Sequence, residues 1–370
     1  MKKIFLAASL LCLFACQHKQ ENKVESVDAN TLVIDSLTNL PEQKIKEIRY
    51  IPLETNDEIL IGGVSTVRYV NGYFYFISSQ KILVFDKQGK FAYCIDKVGQ
   101  GPGEYTSAWG VDVNLQGDVY VADTSVGKVI KYSSKGTVFE EYMIGERMLD
   151  FAALNDSVFY LANILKGGER DIDIALARYS TISKELKVLS TYDDIFDDGI
   201  QRFGSSFFRS NGSLYYCKLF SLELCEVTEN GIKGYLEFPS TRWATKDIIK
   251  KWQKNMQAAY KEDKDVLRGI NAFCETDEYL YIDLSSFPSV AILKNKKTGE
   301  LTKPNFFSGK IRSYQQVNGA TDNCLVFLTS SESENIEYIL EHDTDMLPED
   351  REALSHLSDE DNPVLMLLKF

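Results

Sequence analysis

The sequence predicts an all-β chain, a six-bladed β-propeller whose N- and C-terminal strands close one blade, with small helical insertions. Three observations lead there. A plan of four short β-rich runs separated by turn residues recurs along the chain. Each end of the repeating region carries a strand-like run with no partner of its own. Only two stretches show the spacing of an amphipathic helix.

The clearest unit is Trp109 to Ile144, in which four β-rich runs are divided by turn signals at Gln116-Gly117, Asp123 to Gly127 and Ser134 to Gly136. Val64 to Ile95 repeats the plan, with turns at Asn71-Gly72, Ser78 to Lys81 and Lys87 to Gly89. Met148 to Leu189, Phe203 to Phe238, Gly269 to Thr302 and Ile311 to Glu341 follow more loosely. Their first hairpins are marked by Asn155-Asp156, Asn211-Gly212, Thr276-Asp277 and Asp322-Asn323. A lone four-stranded sheet cannot cover both of its faces, so such units stack radially, each burying its apolar faces against its neighbours. A two-sheet sandwich would not require the recurrence.

A ring must also close. Ile45 to Glu54 before the first unit and Asn362 to Phe370 at the end both read as strands, and pairing them in one blade removes two open edges. The first helical stretch, Ser240 to Leu267, spaces Ile248, Ile249, Trp252, Met256 and Tyr260 along one face and starts at Thr245 to Asp247. Met346 to Leu357 is the second, with Pro348 near its start. Either helix could cap a propeller face or recruit a partner.

At the amino terminus Lys2 and Lys3 precede an apolar run from Ile4 to Phe14 that stops at Ala15-Cys16. It is too short for the roughly 20 residues that span a bilayer and reads as a secretory signal. Residues 1–15 are expected to be removed and 16–44 to form a lipidated cysteine and flexible tether, leaving 45–370 as the propeller, with its helical insertion at about 240–267. The formal charge of −13 argues against a nucleic-acid partner, which needs clustered Lys and Arg. Beyond Cys16, five cysteines remain in the expected mature chain: Cys94, Cys217, Cys225, Cys274 and Cys324. An odd number in an oxidising compartment is not a disulfide scaffold, although Cys217 and Cys225 flank a hairpin and could face each other.

The histidines are His18, His342 and His356, too few and too scattered for a histidine-ligated zinc site in the pore. A Ser-His-Asp triad lacks its G-x-S-x-G elbow. Calcium needs only oxygen ligands and stays compatible with the 54 acidic residues. The run Gly99-Gln100-Gly101-Pro102-Gly103 is no phosphate cradle, since it leads into a strand and lacks the Lys and Ser or Thr that open a helix.

Two resemblances attach to these residues. Leu13-Phe14-Ala15-Cys16 resembles the lipobox of bacterial lipoproteins, which implies acylation of the Cys16 thiol and a membrane partner reached through that lipid. Gly99 to Tyr105, Gly110-Val111-Asp112-Val113 and Gly117 to Asp123 resemble an NHL-type repeat, and the chain from 45 to 370 is similar in plan to the six-bladed β-propeller lipoproteins of gut anaerobic bacteria, with NHL/TolB-like repeats. That likeness implies a cell-envelope address, lipid-anchored in the outer membrane, periplasmic or surface-exposed.

The stiff glycine loop has two readings: it makes only the crossing between blades, or it presents Glu104 and Tyr105, with Trp109 and Asp123, at the central mouth as ligand-binding candidates. Two function classes follow. One is a lipoprotein that binds a glycan, peptide or protein over a propeller face, with no cofactor; the other is a calcium-assisted hydrolase or lyase of lactonase-like type acting in the pore.

Overall fold

The computed structural model describes residues 30–370 apart from 38, 57–58, 79, 109, 134, 166–171, 193–204, 211, 307–308 and 311–316. The signal segment and Cys16 therefore lie outside the described residues. Three strands come first: β1 (Asn30–Thr31), β2 (Glu42–Lys44) and β3 (Glu47–Pro52).

The blades then follow in chain order. Blade one is β4 (Val64–Val70), β5 (Tyr73–Ser78), β6 (Lys81–Asp86) and β7 (Phe91–Ile95), and blade two is β8 (Gly110–Val113), β9 (Val119–Asp123), β10 (Lys128–Tyr132) and β11 (Phe139–Met143). Blade three is β12 (Met148–Asn155), β13 (Val158–Leu165), β14 (Ile172–Ser180) and β15 (Glu185–Thr191). Blade four is β16 (Phe207–Ser210), β17 (Ser213–Cys217), β18 (Glu223–Thr228) and β19 (Gly231–Glu237). Helices α1 (Lys246–Lys254) and α2 (Met256–Lys261) precede blade five, which is β20 (Ile270–Glu275), β21 (Tyr279–Leu284), β22 (Val290–Asn295) and β23 (Leu301–Asn305). Blade six opens with β24 (Gly319–Ala320) and β25 (Leu325–Thr329), continues after helices α3 (Ser333–His342) and α4 (Pro348–Ser355) with β26 (Val364–Lys369), and takes β3 as its outer strand.

The sheets are antiparallel meanders arranged in a ring, so the protein is a six-bladed β-propeller. Alternating side chains of each blade point into two inter-blade interfaces, and a separate apolar cluster fills each of the six interfaces. Closure follows the expected pairing: β26 runs antiparallel to β3 with Val364 opposite Pro52 and Lys369 opposite Glu47. Val364, Met366 and Leu368 face blade five with Ile48 and Tyr50, while Leu365 faces blade one.

Two expectations are corrected. The sixth unit is not four strands from Ile311 to Glu341, because Ser333–His342 is a helix that buries Ile336 and Ile339. Helix α4 then clamps the closing blade: Asp350 accepts two hydrogen bonds from Arg49, at 2.9 and 3.1 Å, and one from the Tyr50 backbone N–H at 2.9 Å. The described part of the expected tether is not free either. β1 adds in parallel to β19 and β2 adds in parallel to β23, so these two strands extend the outer edges of blades four and five. Leu32 and Ile34 are buried there, and that apolar contact is what docks the arm. No helix among the described residues is long and apolar enough to cross a membrane.

The helical stretches expected at Ser240 to Leu267 and Met346 to Leu357 are present. Thr245 caps α1 by accepting from the Ile248 N–H, and Pro348 opens α4. Cys217 lies opposite Leu224 while Cys225 lies opposite Tyr216, so the two thiols leave opposite faces of the sheet and both are free. Burial pushes the Cys217 thiol up to about 12, so it stays protonated and unreactive.

Candidate functional site

The first strands of blades one, four, five and six line a central channel, with Leu115, just after the first strand of blade two, beside them. The channel encloses about 580 Å³. It runs from the starts of inner strands, at Val64, Ser205 and Val317, to the turns at Asn71-Gly72, Asp277 and Thr321-Asp322. Its wall is mixed: Arg68, Asn271, Asn318 and Arg209 stand beside Tyr69, Phe207 and Ala272.

Arg209 on β16 does not point freely into this space. Its Nε and Nη2 donate to the two carboxylate oxygens of Asp112 on β8, at 2.8 and 2.6 Å, and Nη2 also donates to the Ala153 carbonyl on β12 at 2.7 Å. One side chain thus joins the inner strands of blades two, three and four. Asp112 is saturated, since it further accepts from the Val113 N–H at 2.9 Å and the Ala153 N–H at 3.0 Å. Burial alone would raise its pKa, but the Arg209 charge and hydrogen bonds, helped by Arg68 and the Ala153 N–H, hold it below the usual 3.8. A carboxylate so engaged is a poor candidate for a metal ligand.

Arg68 on β4 is different. Among the described residues its Nε is buried without a hydrogen-bond partner, and its one hydrogen bond is a long one, 3.3 Å, from Nη1 to the Val67 carbonyl. No carboxylate among the described residues forms an ion pair with it. Arg68 is half-buried, its Nε covered and the rest of the side chain in contact with channel solvent, and the desolvation it suffers weakens its hold on its proton; Asp112 opposes the effect and Arg209 adds to it. Two arginines share the field of one carboxylate, so this depth of the channel carries net positive charge. The side chains of Asn271 and Asn318 also make no hydrogen bond within the described residues. Three polar groups are therefore available to a ligand.

The glycine loop lies elsewhere and is consumed by its own contacts. Tyr105 is wholly buried between blades one and two, where its hydroxyl donates to the Gln80 carbonyl at 2.7 Å and its ring meets Tyr132 edge-on. Glu104 turns back to accept from the Gly101 N–H at 2.7 Å, and Lys128 donates to its carbonyl. A Cβ at Gly99 would sit 2.0 Å from a Glu104 oxygen, and one at Gly103, which has φ +69°, would strike the Phe139 ring at 2.7 Å. Gly103, in the left-handed region, is where the loop needs glycine; at Gly99 the contact is with the movable end of the Glu104 side chain. Asp123 is buried and accepts from the Thr106 N–H at 2.6 Å. None of Glu104, Tyr105 and Asp123 lines the channel, and Trp109 lies outside the described residues. Of the two readings of the loop, the burial of Tyr105 fits the crossing between blades: an aromatic ring beside a stiff loop gains more by filling the inter-blade core.

Sequence reading passed over Arg68, Asp112 and Arg209. Their signal is a charged residue inside an otherwise apolar first strand of a unit, next to Val67, Val113 or Phe208. The three meet only once the ring has formed. Among the described residues, no three His, Cys, Asp or Glu side chains gather as a metal-binding group.

Solved structures share this architecture. A Bacteroides fragilis NCTC 9343 protein described as exported is 18% identical, with a TM-score of 0.70, over 90% of this chain and 99% of that one. A member of the duf4221 family from Bacteroides vulgatus ATCC 8482 is 15% identical, with a TM-score of 0.55, over 88% of this chain and 96% of that one. Likeness at this level of identity speaks for the fold. No curated protein matches the chain. The family described as Domain of unknown function (DUF4934) matches residues 26–369, nearly the whole of the propeller and its N-terminal arm, and the chain belongs to that family.

Proposed function

We propose that this is an exported lipoprotein, held at the cell envelope by lipid on Cys16, whose propeller binds a small ligand or a chain end in its central channel. The observation that carries the binding reading is the channel itself: about 580 Å³, within the roughly 300–1,000 Å³ usual for ligand pockets, with polar side chains left unpaired in its wall. The charged, apolar and Ala15-Cys16 pattern of the amino terminus supports export and anchoring, as does the likeness to a protein described as exported. The channel also moves the binding reading from a propeller face to its axis.

A single preparation tests both parts. The Cys16→Ser protein is expected to leave the membrane fraction while remaining folded, because the lipid is the anchor. That soluble protein is then screened by thermal shift against a panel of monosaccharides, sugar acids and short peptides, beside a second form carrying Asn318→Trp to fill the channel. Stabilisation by a panel member that disappears with Asn318→Trp supports the reading. Sedimentation of Cys16→Ser with membranes after a high-salt wash overturns the anchor, and panel responses unmoved by Asn318→Trp overturn the channel.

A further inference from the structure

Within the channel, the unpaired groups are chemically selective. A guanidinium offers five N–H donors in a planar fork that matches a carboxylate. Arg68 spends one of them on a 3.3 Å bond to its neighbour's carbonyl and buries Nε with no acceptor at all. Leaving a partly buried cation without a counter-charge is unfavourable, and the usual resolutions are an acidic side chain or a bound anion. Here Asp112, the acid whose field reaches Arg68, is already fully engaged by Arg209 and two backbone N–H groups.

Among the described residues, the other charges facing the channel are Asp277 and Asp322, both in the turns at one end. They oppose a second negative group there, so a fitting ligand carries its charge at one end only. Asn271 and Asn318 each bring a donor and an acceptor, the pattern that meets hydroxyl groups.

We infer that the channel binds a small hydroxylated monocarboxylate, a sugar acid, with Arg68 gripping the carboxylate and Asn271 and Asn318 meeting the hydroxyls. This rests on the channel-binding reading above and names its ligand class. Phosphate and sulfate fit less well, because Arg68 would face their larger charge alone while Asp277 and Asp322 repel it.

The test uses the soluble Cys16→Ser protein and three probes: D-glucuronate, D-glucose as the same ring without the carboxylate, and N-acetylglycine as a carboxylate without the ring. Calorimetry and thermal shift at matched ionic strength are expected to show glucuronate binding at least about tenfold more tightly than either other probe. Arg68→Met should weaken glucuronate by at least about tenfold while the free protein melts no lower than its parent, since Arg68 makes no ion pair within the described residues that the change would break and its covered Nε has no acceptor. Arg68→Lys, which keeps the charge and loses the fork, should fall between the two, and it stands in if Arg68→Met does not fold. Equal glucuronate binding by parent and Arg68 variants overturns the assignment, as does stronger binding of glucose or N-acetylglycine. Should glucuronate fail while another compound still loses its effect with Asn318→Trp, the sugar-acid assignment falls and the channel reading stands.

Discussion

Arg209 and Asp112 are far apart in the chain, yet their contact is the most tightly built polar feature of the axis. The pair is bidentate, nearly closed off from solvent and braced by the Ala153 carbonyl and N–H. Replacing such a pair with apolar groups can be neutral, whereas removing one partner strands the other. Asp112→Asn would leave both Arg209 and Arg68 without a counter-charge, and a loss of about 3–5 kcal/mol in unfolding free energy is expected by denaturant titration. The pH dependence has a definite sign. Because the native Asp112 pKa lies below its ordinary 3.8, its contribution is fully present above that value and is lost as pH falls through the lowered native one. The parent protein should therefore lose more stability between about pH 5 and pH 2 than the Asp112→Asn variant does, and identical acid profiles would show that this pair does not govern the axis.

At the scale of the element, the crossing from blade one to blade two shows how a loop rich in glycine becomes rigid. Gly99 donates to the Tyr105 carbonyl, Tyr105 donates to the Lys97 carbonyl, and Gly103 donates to the Glu141 carboxylate on β11. The first two bonds brace the loop on itself, the third ties it to blade two, and the Tyr105 hydroxyl ties it to blade one at the Gln80 carbonyl. Tyr105→Ala should cost about 3–5 kcal/mol, the range for deleting a large buried aromatic, and should leave any channel ligand's affinity in the folded protein nearly unchanged. A melting temperature equal to the parent's would mean that Tyr105 is displayed and not packed. Turn chemistry made the hairpins inside the blades readable in sequence: Asn71 and Gly72 both adopt positive φ, as their hairpin requires. Helix α3 was missed because Ile336, Ile339 and Leu340 follow directly on a true strand, and a short apolar run there suits either period.

The molecule as a whole is held in a ring by one blade made from both ends of the chain. Deleting Pro363 to Phe370 removes β26, which pairs with β25 on one side and β3 on the other. Val364, Leu365, Met366 and Leu368 are each buried, and burial of such side chains stabilises by roughly 1.5–3 kcal/mol apiece. The truncated chain is expected to lose cooperative unfolding and its native melting transition, detected by circular dichroism, because two interfaces open together. An unchanged transition would place the closure elsewhere. The N-terminal arm adds a second circumferential tie, since β1 and β2 extend blades four and five before β3 enters blade six.

The repeat of turn residues and alternating apolar runs was enough to determine the blade count, the boundaries of the first five blades and the pairing that closes the ring. These are local properties: each turn and each strand period is encoded by residues adjacent in the chain. The site was not legible in the same way. Arg68, Asp112, Arg209 and Asn271 belong to different blades, and Asn318 leads into yet another. Only closure of the ring decides that Asp112 is taken by Arg209 while Arg68, among the described residues, is left without a carboxylate partner. Likewise, nothing in the composition of residues 30–44 marks them as docked; two short parallel pairings and the burial of Leu32 and Ile34 decide it. Pairings across such distances in the chain depend on which surfaces the finished ring brings together, and that is a property of the tertiary structure alone.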